Sequence, residues 1–430
     1  MPFQTALSGL NAAQTNLSVT GHNIANASTI GFKRSRAEFA DVYATSFTTT
    51  SQVGSGVRVA SVTQQFAQGN IEFTDNSLDL AISGDGFFII RDPDGAEFYT
   101  RAGAFQINKD GYVVNSKGQF LIGYPFEEGV AQSSQLDSLQ VSSEMSEASP
   151  TRNTTININL SADAIAITDT NRDAIDDILD ELDPPPAALE DFPLAPADPN
   201  SYNFSTSTTV YDSLGKPHTQ TFYFVRNEVD DPDTDNPNSW TVLMALGGRV
   251  IAAEQLEFGA DGRIDGASEI FSDVIYLRQP EAEDLELSVN LGDSTQFSGS
   301  SVVNMLRQDG FPTGRISGIV IENNGEVFAR YTNGESKILG SVSVARFENV
   351  NGLQPVGDTN WAATFESGAR TVGVPGTGAY GQIQSGGLES SNVDLSAQLV
   401  NMIIAQRDFQ ANAKMISTAD QMTQTVINIR

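Results

Sequence analysis

Residues 391–430 read SNVDLSAQLVNMIIAQRDFQANAKMISTADQMTQTVINIR, and this stretch decides the class of fold. Ser391 and Asp394 make an S-x-x-D start, the signature of a capped helix N-terminus. Leu395, Leu399, Met402, Gln406, Phe409, Ala413 and Ile416 then recur at alternating steps of four and three, a heptad seam. Beyond them the apolar stripe shifts phase to Met415, Ala419, Met422, Val426 and Ile429. No Pro or Gly interrupts 388–430, so the spacing predicts one helix reaching about 55 Å at 1.5 Å per residue.

The other end of the chain mirrors it. Phe3, Leu7, Leu10, Gln14, Leu17, Gly21 and Ile24 keep the same spacing, on a surface otherwise made of Ala, Asn, Gln, Ser and Thr. Gly31 ends that pattern, and 31–70 shows no clear period. Between the ends the sequence reads as β. Ser77–Ile82 alternates with period two, and Gly84-Asp85-Gly86 leads into Phe87-Phe88-Ile89-Ile90. Asp94-Gly95, Asp110-Gly111 and Lys117-Gly118 mark hairpin turns. Thr154–Leu160 alternates again, and strands resume at Thr208–Tyr211, Thr221–Val225 and Trp240–Leu246 and continue to about 365. Residues 163–200 are acidic and Pro-rich, predicting a short helix and an exposed loop, and the Gly/Ser-rich 366–387 reads as a linker.

Charge narrows the function. The chain of 430 residues carries 24 Lys and Arg against 54 Asp and Glu, a net charge of −30. Such a surface repels phosphate, which argues against nucleic acid and anionic membranes. No run of 18 apolar residues exists, so no membrane insertion is expected, and the N-terminus lacks the pattern of a cleaved signal. The absence of Cys excludes disulfides, thiolate metal sites and cysteine nucleophiles. The acidity is uneven. Residues 1–60 hold Lys33, Arg34, Arg36 and Arg58 against Glu38 and Asp41, and 390–430 is neutral, so nearly all the negative charge lies between them. Neutral ends suit packing against other chains, and an acidic centre suits solvent.

Motifs that suggest chemistry are weak. Gly376-Thr377-Gly378-Ala379-Tyr380-Gly381 matches the dinucleotide fingerprint, but Pro375 precedes it and no helix pattern follows. Asp169–Asp173 and the acidic turn Asp230–Asp235 resemble calcium loops without the Gly and Glu that an EF-hand requires. His22 sits in a polar helical run, and His218 in a turn without an evident partner. No catalytic residue, cofactor or metal site is expected.

The terminal helices are the physical problem. Burying about a dozen large apolar side chains does not clearly offset the backbone entropy of about 60 residues. The expectation is of ends that order on assembly with identical neighbours, with an intramolecular coiled coil as the alternative.

Ser8-Gly9-Leu10-Asn11-Ala12-Ala13-Gln14, Asn23-Ile24-Ala25-Asn26 and Thr29-Ile30-Gly31-Phe32-Lys33 resemble the N-terminal signature of the bacterial flagellar axial proteins, the family of rod, hook and junction subunits. Leu388–Leu395 with Gln406-Arg407-Asp408-Phe409-Gln410-Ala411-Asn412 resembles their C-terminal signature. Val210–Gly215, and Gly357-Asp358 with Trp361 and Ser367-Gly368, resemble the hook branch. The likeness covers the chain except about 163–200.

The resemblance implies a mainly β protein, with outer β domains and long coiled-coil-like terminal helices packed together in a discontinuous multi-domain chain. The implied parts are a helical assembly domain (1–30 with 391–430) and a hinge region (31–70 with 366–390). An inner β domain (71–148 with 303–365) and an inserted outer β domain (149–302) complete it. Leu7, Leu10, Leu17, Ile24, Leu395, Leu399, Met402, Phe409, Ile416, Met422 and Val426 are the expected assembly seams. The implied role is a structural subunit that polymerises into a curved extracellular tube and transmits torque. Its implied partners are itself, the rod, hook-cap and hook–filament junction proteins, and the export apparatus that would carry it out without a cleaved signal. Another axial protein is the alternative; a secreted calcium-dependent adhesin and an enzyme come after it.

Overall fold

A computed structural model describes residues 2–43, 54–127, 130–131, 136–141, 145–168, 170–182, 192–228, 236–264, 269–270, 282–283, 285 and 287–428. The fold is mainly β, with an N- and a C-terminal helix packed together. The chain divides into two compact units, one of Met1–Ser143, Ser317–Arg330 and Ser336–Arg430, the other of Glu144–Ile316 and Tyr331–Glu335.

The first unit contains helix α1 (Pro2–Ala25), the C-terminal helix (Leu395–Asn428) and a large twisted sheet. Across the sheet the strands run Ile316–Ile321, Glu326–Tyr331, Ser336–Val342, Phe120–Glu127, Phe87–Arg91, Glu97–Thr100, Asn360–Ala362 and Gln354–Gly357. The glycines of the predicted hairpins do what their turns require: Gly95 and Gly111 sit at φ 95° and 83°, which a side chain would strain. The core is aromatic. Phe87 contacts Phe66 at 5.7 Å, Trp361 at 5.6 Å and Phe347 at 6.2 Å between ring centroids, and Tyr99 meets Phe347 edge-on at 4.7 Å.

Two stretches without a readable period carry strands. Ser35–Tyr43 and Gly54–Gln64 form an antiparallel hairpin. Gln382–Ser385 pairs with Leu80–Ser83, and Gly387–Glu389 with Ile71–Phe73. Their side chains are too mixed to show a buried face, so main-chain pairing decides their conformation, within the hairpin for 35–64 and across some 300 residues for 382–389. The G-x-G-x-x-G stretch closes on itself, Gly376 N donating to the Gly381 carbonyl at 3.1 Å, and a strand follows it. No helix N-terminus is there to meet a phosphate.

The second unit packs two sheets around one core. One is the meander Phe204–Tyr211, Pro217–Arg226, Ser239–Leu246 and Arg249–Glu257. The other is built on Asn153–Ser161, which runs parallel to Ser288–Asn290 and Thr295–Phe297 and antiparallel to Val302–Gln308. Thr154, Ile156, Ile158 and Leu160 are buried in alternation, the pattern of a strand with one face in the core. Helix α2 (Thr170–Glu181) covers the outer face of the meander with Ile175 and Ile178 against Val225, Leu243, Ala245 and Val250. Ser239–Leu246 is therefore buried on both faces, which explains its unbroken apolar run. The segment after α2 is not all exposed loop. Phe192 is buried, and Pro193 O and Ala195 N bond to Val250 N and Gly248 O at 2.9 Å each.

Candidate functional site

The C-terminal helix, hereafter α3, and α1 run antiparallel. Gly9 lies so close to Asn412 that a Cβ would sit 2.6 Å from its Oδ1, and Asn23 Nδ2 donates to Gln398 Oε1 at 3.2 Å. The buried strip of α1 is made of small residues (Ala6, Ala13, Thr20, Asn23), which lets the backbones approach. On α3 the covered positions are Gln398, Met402, Ala405, Phe409, Asn412 and Ile416. This inner strip is rotated from the sequence seam. Of the expected assembly residues, Leu7, Leu395, Leu399 and Met422 are exposed, and Leu10, Leu17, Ile24, Met402, Phe409 and Ile416 are half-covered. Val426 lies within α3, but its side chain falls outside the described residues. Phe3, Val400, Ile403, Ile404 and Met415 add to the exposed set. In the single chain the two helices close on each other along one face, and the hairpin 35–64 gives α1 a further neighbour.

Helix α3 starts three residues later than the S-x-x-D reading, with Ser391 as the cap, placed it. Asp394 is the residue that caps it, its Oδ1 accepting from Ser396 N at 2.9 Å and Ala397 N at 3.1 Å. Ser391 Oγ is buried without a partner among the described residues.

At the root of both helices lies an ion cluster that sequence reasoning missed. Glu389, wholly buried, accepts from Lys33 Nζ at 2.6 Å, Gly69 N at 2.8 Å and Arg101 Nη1 at 3.1 Å. Lys33 Nζ also donates to the Ala67 carbonyl at 2.9 Å, and Arg101 Nη2 to the Gly84 carbonyl at 2.8 Å. The Arg101 guanidinium stacks 5.4 Å from the centroid of the Phe87 ring. Burial holds the Lys33 ammonium below its usual pKa, and the Glu389 carboxylate offsets that in part.

Backbone contacts close the same junction. Gly31 N donates to the Glu389 carbonyl at 2.7 Å, and the Asn392 side chain accepts from Arg34 N at 2.8 Å and donates to the Gln65 carbonyl at 2.7 Å. Gly31 has φ 70°, and a Cβ there would lie 2.5 Å from Ala102 N. The two terminal motifs thus meet, Lys33 from one and Glu389 and Asn392 from the other. The available signal was Lys33, the one charge in the N-terminal motif, and Glu389 in the C-terminal one.

The remaining sequence candidates do not gather. Asp169 and Asp230–Asp235 lie outside the described residues, and no group of three potential metal ligands occurs among the described ones. His22 is exposed. His218 does have a partner: its Nε2 is 3.0 Å from Asp212 Oδ2. Burial alone would raise the Asp212 carboxyl, but His218 and the N–H groups of Lys216 and Leu214 outweigh it and hold it below the usual range.

Comparison with known proteins agrees with this architecture. Residues 3–33 match the family described as flagella basal body rod protein, 81–170 the flagellar hook protein FlgE/F/G D1 domain, 179–311 the flagellar basal body protein FlaE D2 domain, and 384–429 the flagellar basal body rod FlgEFG protein C-terminal family. The flagellar hook protein FlgE of Escherichia coli is 37% identical, with 100% of both chains covered. The FlgE of Salmonella typhimurium is 35% identical over 100% of both chains, and that of Borreliella burgdorferi 31% identical over 99% of this chain and 98% of its own. The crystal structure of Helicobacter pylori flagellar hook protein FlgE2 shares the fold, with a TM-score of 0.50 at 16% identity, covering 74% of this chain and 100% of that one. With such relatives matched from end to end, the chain belongs to the flagellar hook protein family.

Proposed function

We propose that this chain is the repeating structural subunit of a flagellar hook, polymerising into a curved, flexible tube outside the cell that joins rod to filament and transmits torque. The observation that carries this reading is the second apolar face of the terminal helices. Leu7, Leu395, Leu399, Ile403 and Met422 remain exposed after α1 and α3 have closed on each other. Exposed rows of large apolar residues on adjacent helices mark an interaction surface. Packed among identical helices, those rows and the half-covered Leu10, Leu17, Ile24, Met402, Phe409 and Ile416 become the seams of a coiled-coil-like inner layer. The alternating four and three spacing of the covered α3 positions supports that geometry.

The outer layer is the acidic one. The second unit holds 32 Asp and Glu against 9 Lys and Arg, net −23. Like-charged surfaces slide past one another through water without locking, which suits a tube whose subunit rows lengthen and shorten at each turn. Stretches 31–70 and 366–390 join the helices to the β structure, held together there by the buried Lys33–Glu389 pair. Rod, hook-cap and hook–filament junction proteins are the axial partners, and the flagellar export apparatus delivers the subunit.

Electron microscopy of purified protein seeded with hook fragments tests the reading. Curved tubes of uniform width are expected; protein that stays monomeric at all concentrations refutes it. Replacing outer acids by amides should stiffen the tubes, and unchanged bending would count against the sliding mechanism.

A further inference from the structure

Helix α2 covers only part of the meander's outer face. Leu243, Ala245 and Val250 pack against its Ile175 and Ile178, whereas Ser239 and Thr241, on the same face by strand alternation, lie outside that apolar cluster. Gln255 stands opposite Thr241, and Glu257 opposite Ser239. These four residues help to line a cavity of about 580 Å³, together with Arg172 of α2 and Asn227, which follows the strand Pro217–Arg226. The volume lies within the range of about 300–1,000 Å³ usual for small-molecule sites. Among the described residues that line it, Leu179 and Ala253 alone are apolar.

The polar floor is preassembled. Asn227 Oδ1 accepts from Arg172 Nη1 at 2.9 Å and from Thr241 Oγ1 at 2.7 Å. Asn227 Nδ2 donates to Ser239 Oγ at 2.8 Å, and Gln255 Nε2 donates to the same oxygen at 2.9 Å. Arg172 Nε in turn donates to Asp176 Oδ1 at 2.9 Å. Ser239 and Thr241 are each 6% exposed, so the network sits deep in the cavity.

That network is not closed. The Ser239 hydroxyl accepts two N–H groups, and its own proton meets no acceptor among the described residues. Arg172 Nη2 and Gln255 Oε1 are likewise without a partner there. A nearly buried donor left unspent costs stability, and a guest that uses it recovers that cost.

The lining also selects the guest. Glu228, Glu254 and Glu257 are exposed around the cavity, with no ion pair among the described residues, and they repel an anion. The free donors on Ser239 and Arg172 oppose a cation, and no three potential metal ligands converge among the described residues. An apolar molecule would find only Leu179 and Ala253. A neutral guest that accepts from the floor and donates to the carboxylates meets every requirement, and hydroxyl groups do both.

We propose that this cavity binds a neutral saccharide of one or two rings. Its hydroxyls accept from Ser239 and Arg172 and donate to Gln255 Oε1 and the three glutamates. The site lies wholly within the second unit and does not depend on the polymer reading above.

Isothermal titration of the full-length chain with maltose, cellobiose, lactose and diacetylchitobiose tests the proposal. Glycine betaine and putrescine serve as zwitterionic and cationic comparisons. At least one disaccharide should bind with a Kd below about 1 mM. Gln255→Ala, at an exposed side chain, should weaken that binding by about tenfold or more and leave the Trp240-monitored urea midpoint in place. Ser239→Ala should weaken it as well; should that variant not fold, Gln255→Ala decides. Binding by none of the four sugars refutes the proposal, and sugar binding untouched by Gln255→Ala refutes this site. Tighter binding of betaine or putrescine than of every sugar refutes the class of ligand.

Discussion

Replacing Glu389 by Gln tests the ion cluster most sharply. Among the described residues Glu389 is the single carboxylate facing Lys33 and Arg101, all three nearly or wholly buried. Glu389→Gln keeps the shape but leaves two buried cations without their counter-charge. Breaking a buried pair from one side costs about 3–5 kcal/mol, most of it from the uncompensated charge that remains. Lys33→Met removes the other side of the imbalance, because Arg101 still faces the carboxylate at 3.1 Å. Its cost should stay below about 2 kcal/mol: the loss of the hydrogen bond to Ala67 O, eased by relief of a charge that burial already disfavours.

The two Trp residues allow each unit to be followed separately, Trp361 in the first and Trp240 in the second, both buried. Urea unfolding followed by Trp361 fluorescence in a Trp240→Phe background should show the midpoint falling by about 1–1.7 M for Glu389→Gln, taking m as about 3 kcal/mol per molar. The Trp240 transition, followed in a Trp361→Phe background, should not move. Equal effects of Glu389→Gln and Lys33→Met, or a Glu389→Gln effect below about 1 kcal/mol, would refute the account of one shared counter-charge.

Three further outcomes follow from the geometry. Gly31→Ala places a Cβ 2.5 Å from Ala102 N at a φ of 70° and should cost at least about 2 kcal/mol, read from the same Trp361 transition. Leu399→Asp with Ile403→Asp should leave monomer stability within about 0.5 kcal/mol, since both side chains are exposed, yet abolish seeded polymerisation followed by light scattering. In the second unit, burial alone would raise the Asp309 carboxyl, but the N–H groups of Asn153 and Arg152 outweigh it and hold it below 3.8. A carboxyl depressed by folding adds stability above its ordinary value, lost as pH falls through the folded one. Asp309→Asn should therefore flatten the decline in Trp240-monitored stability below about pH 4.

The elements whose periods were strong were legible from residues alone. Thr154–Leu160 shows its buried face in every second position because one sheet covers it, and α1 and α3 keep helical spacing throughout. Hairpin turns at Gly95 and Gly111 were equally plain, since few residues tolerate a positive φ. The hairpin 35–64 and the strands of 382–389 were not, because main-chain pairing, local in the hairpin and across some 300 residues in 382–389, shapes them and leaves no pattern in the side chains.

The site divides the same way. Local spacing placed two apolar helices at the chain ends, and charge counting set them apart from an acidic middle. The spacing did not say which stripe would turn inward. That depended on where small residues sit on α1: Ala6, Gly9, Ala13 and Thr20 let its backbone approach α3, whose Met402, Phe409 and Ile416 are partly covered there, while Leu7, Leu395, Leu399 and Ile403 are left outward. Nor was the Lys33–Glu389–Arg101 cluster written in any one segment. Its members are separated by up to 356 positions, and an ion pair acts through space over a few ångströms, so only the folded chain brings them within reach.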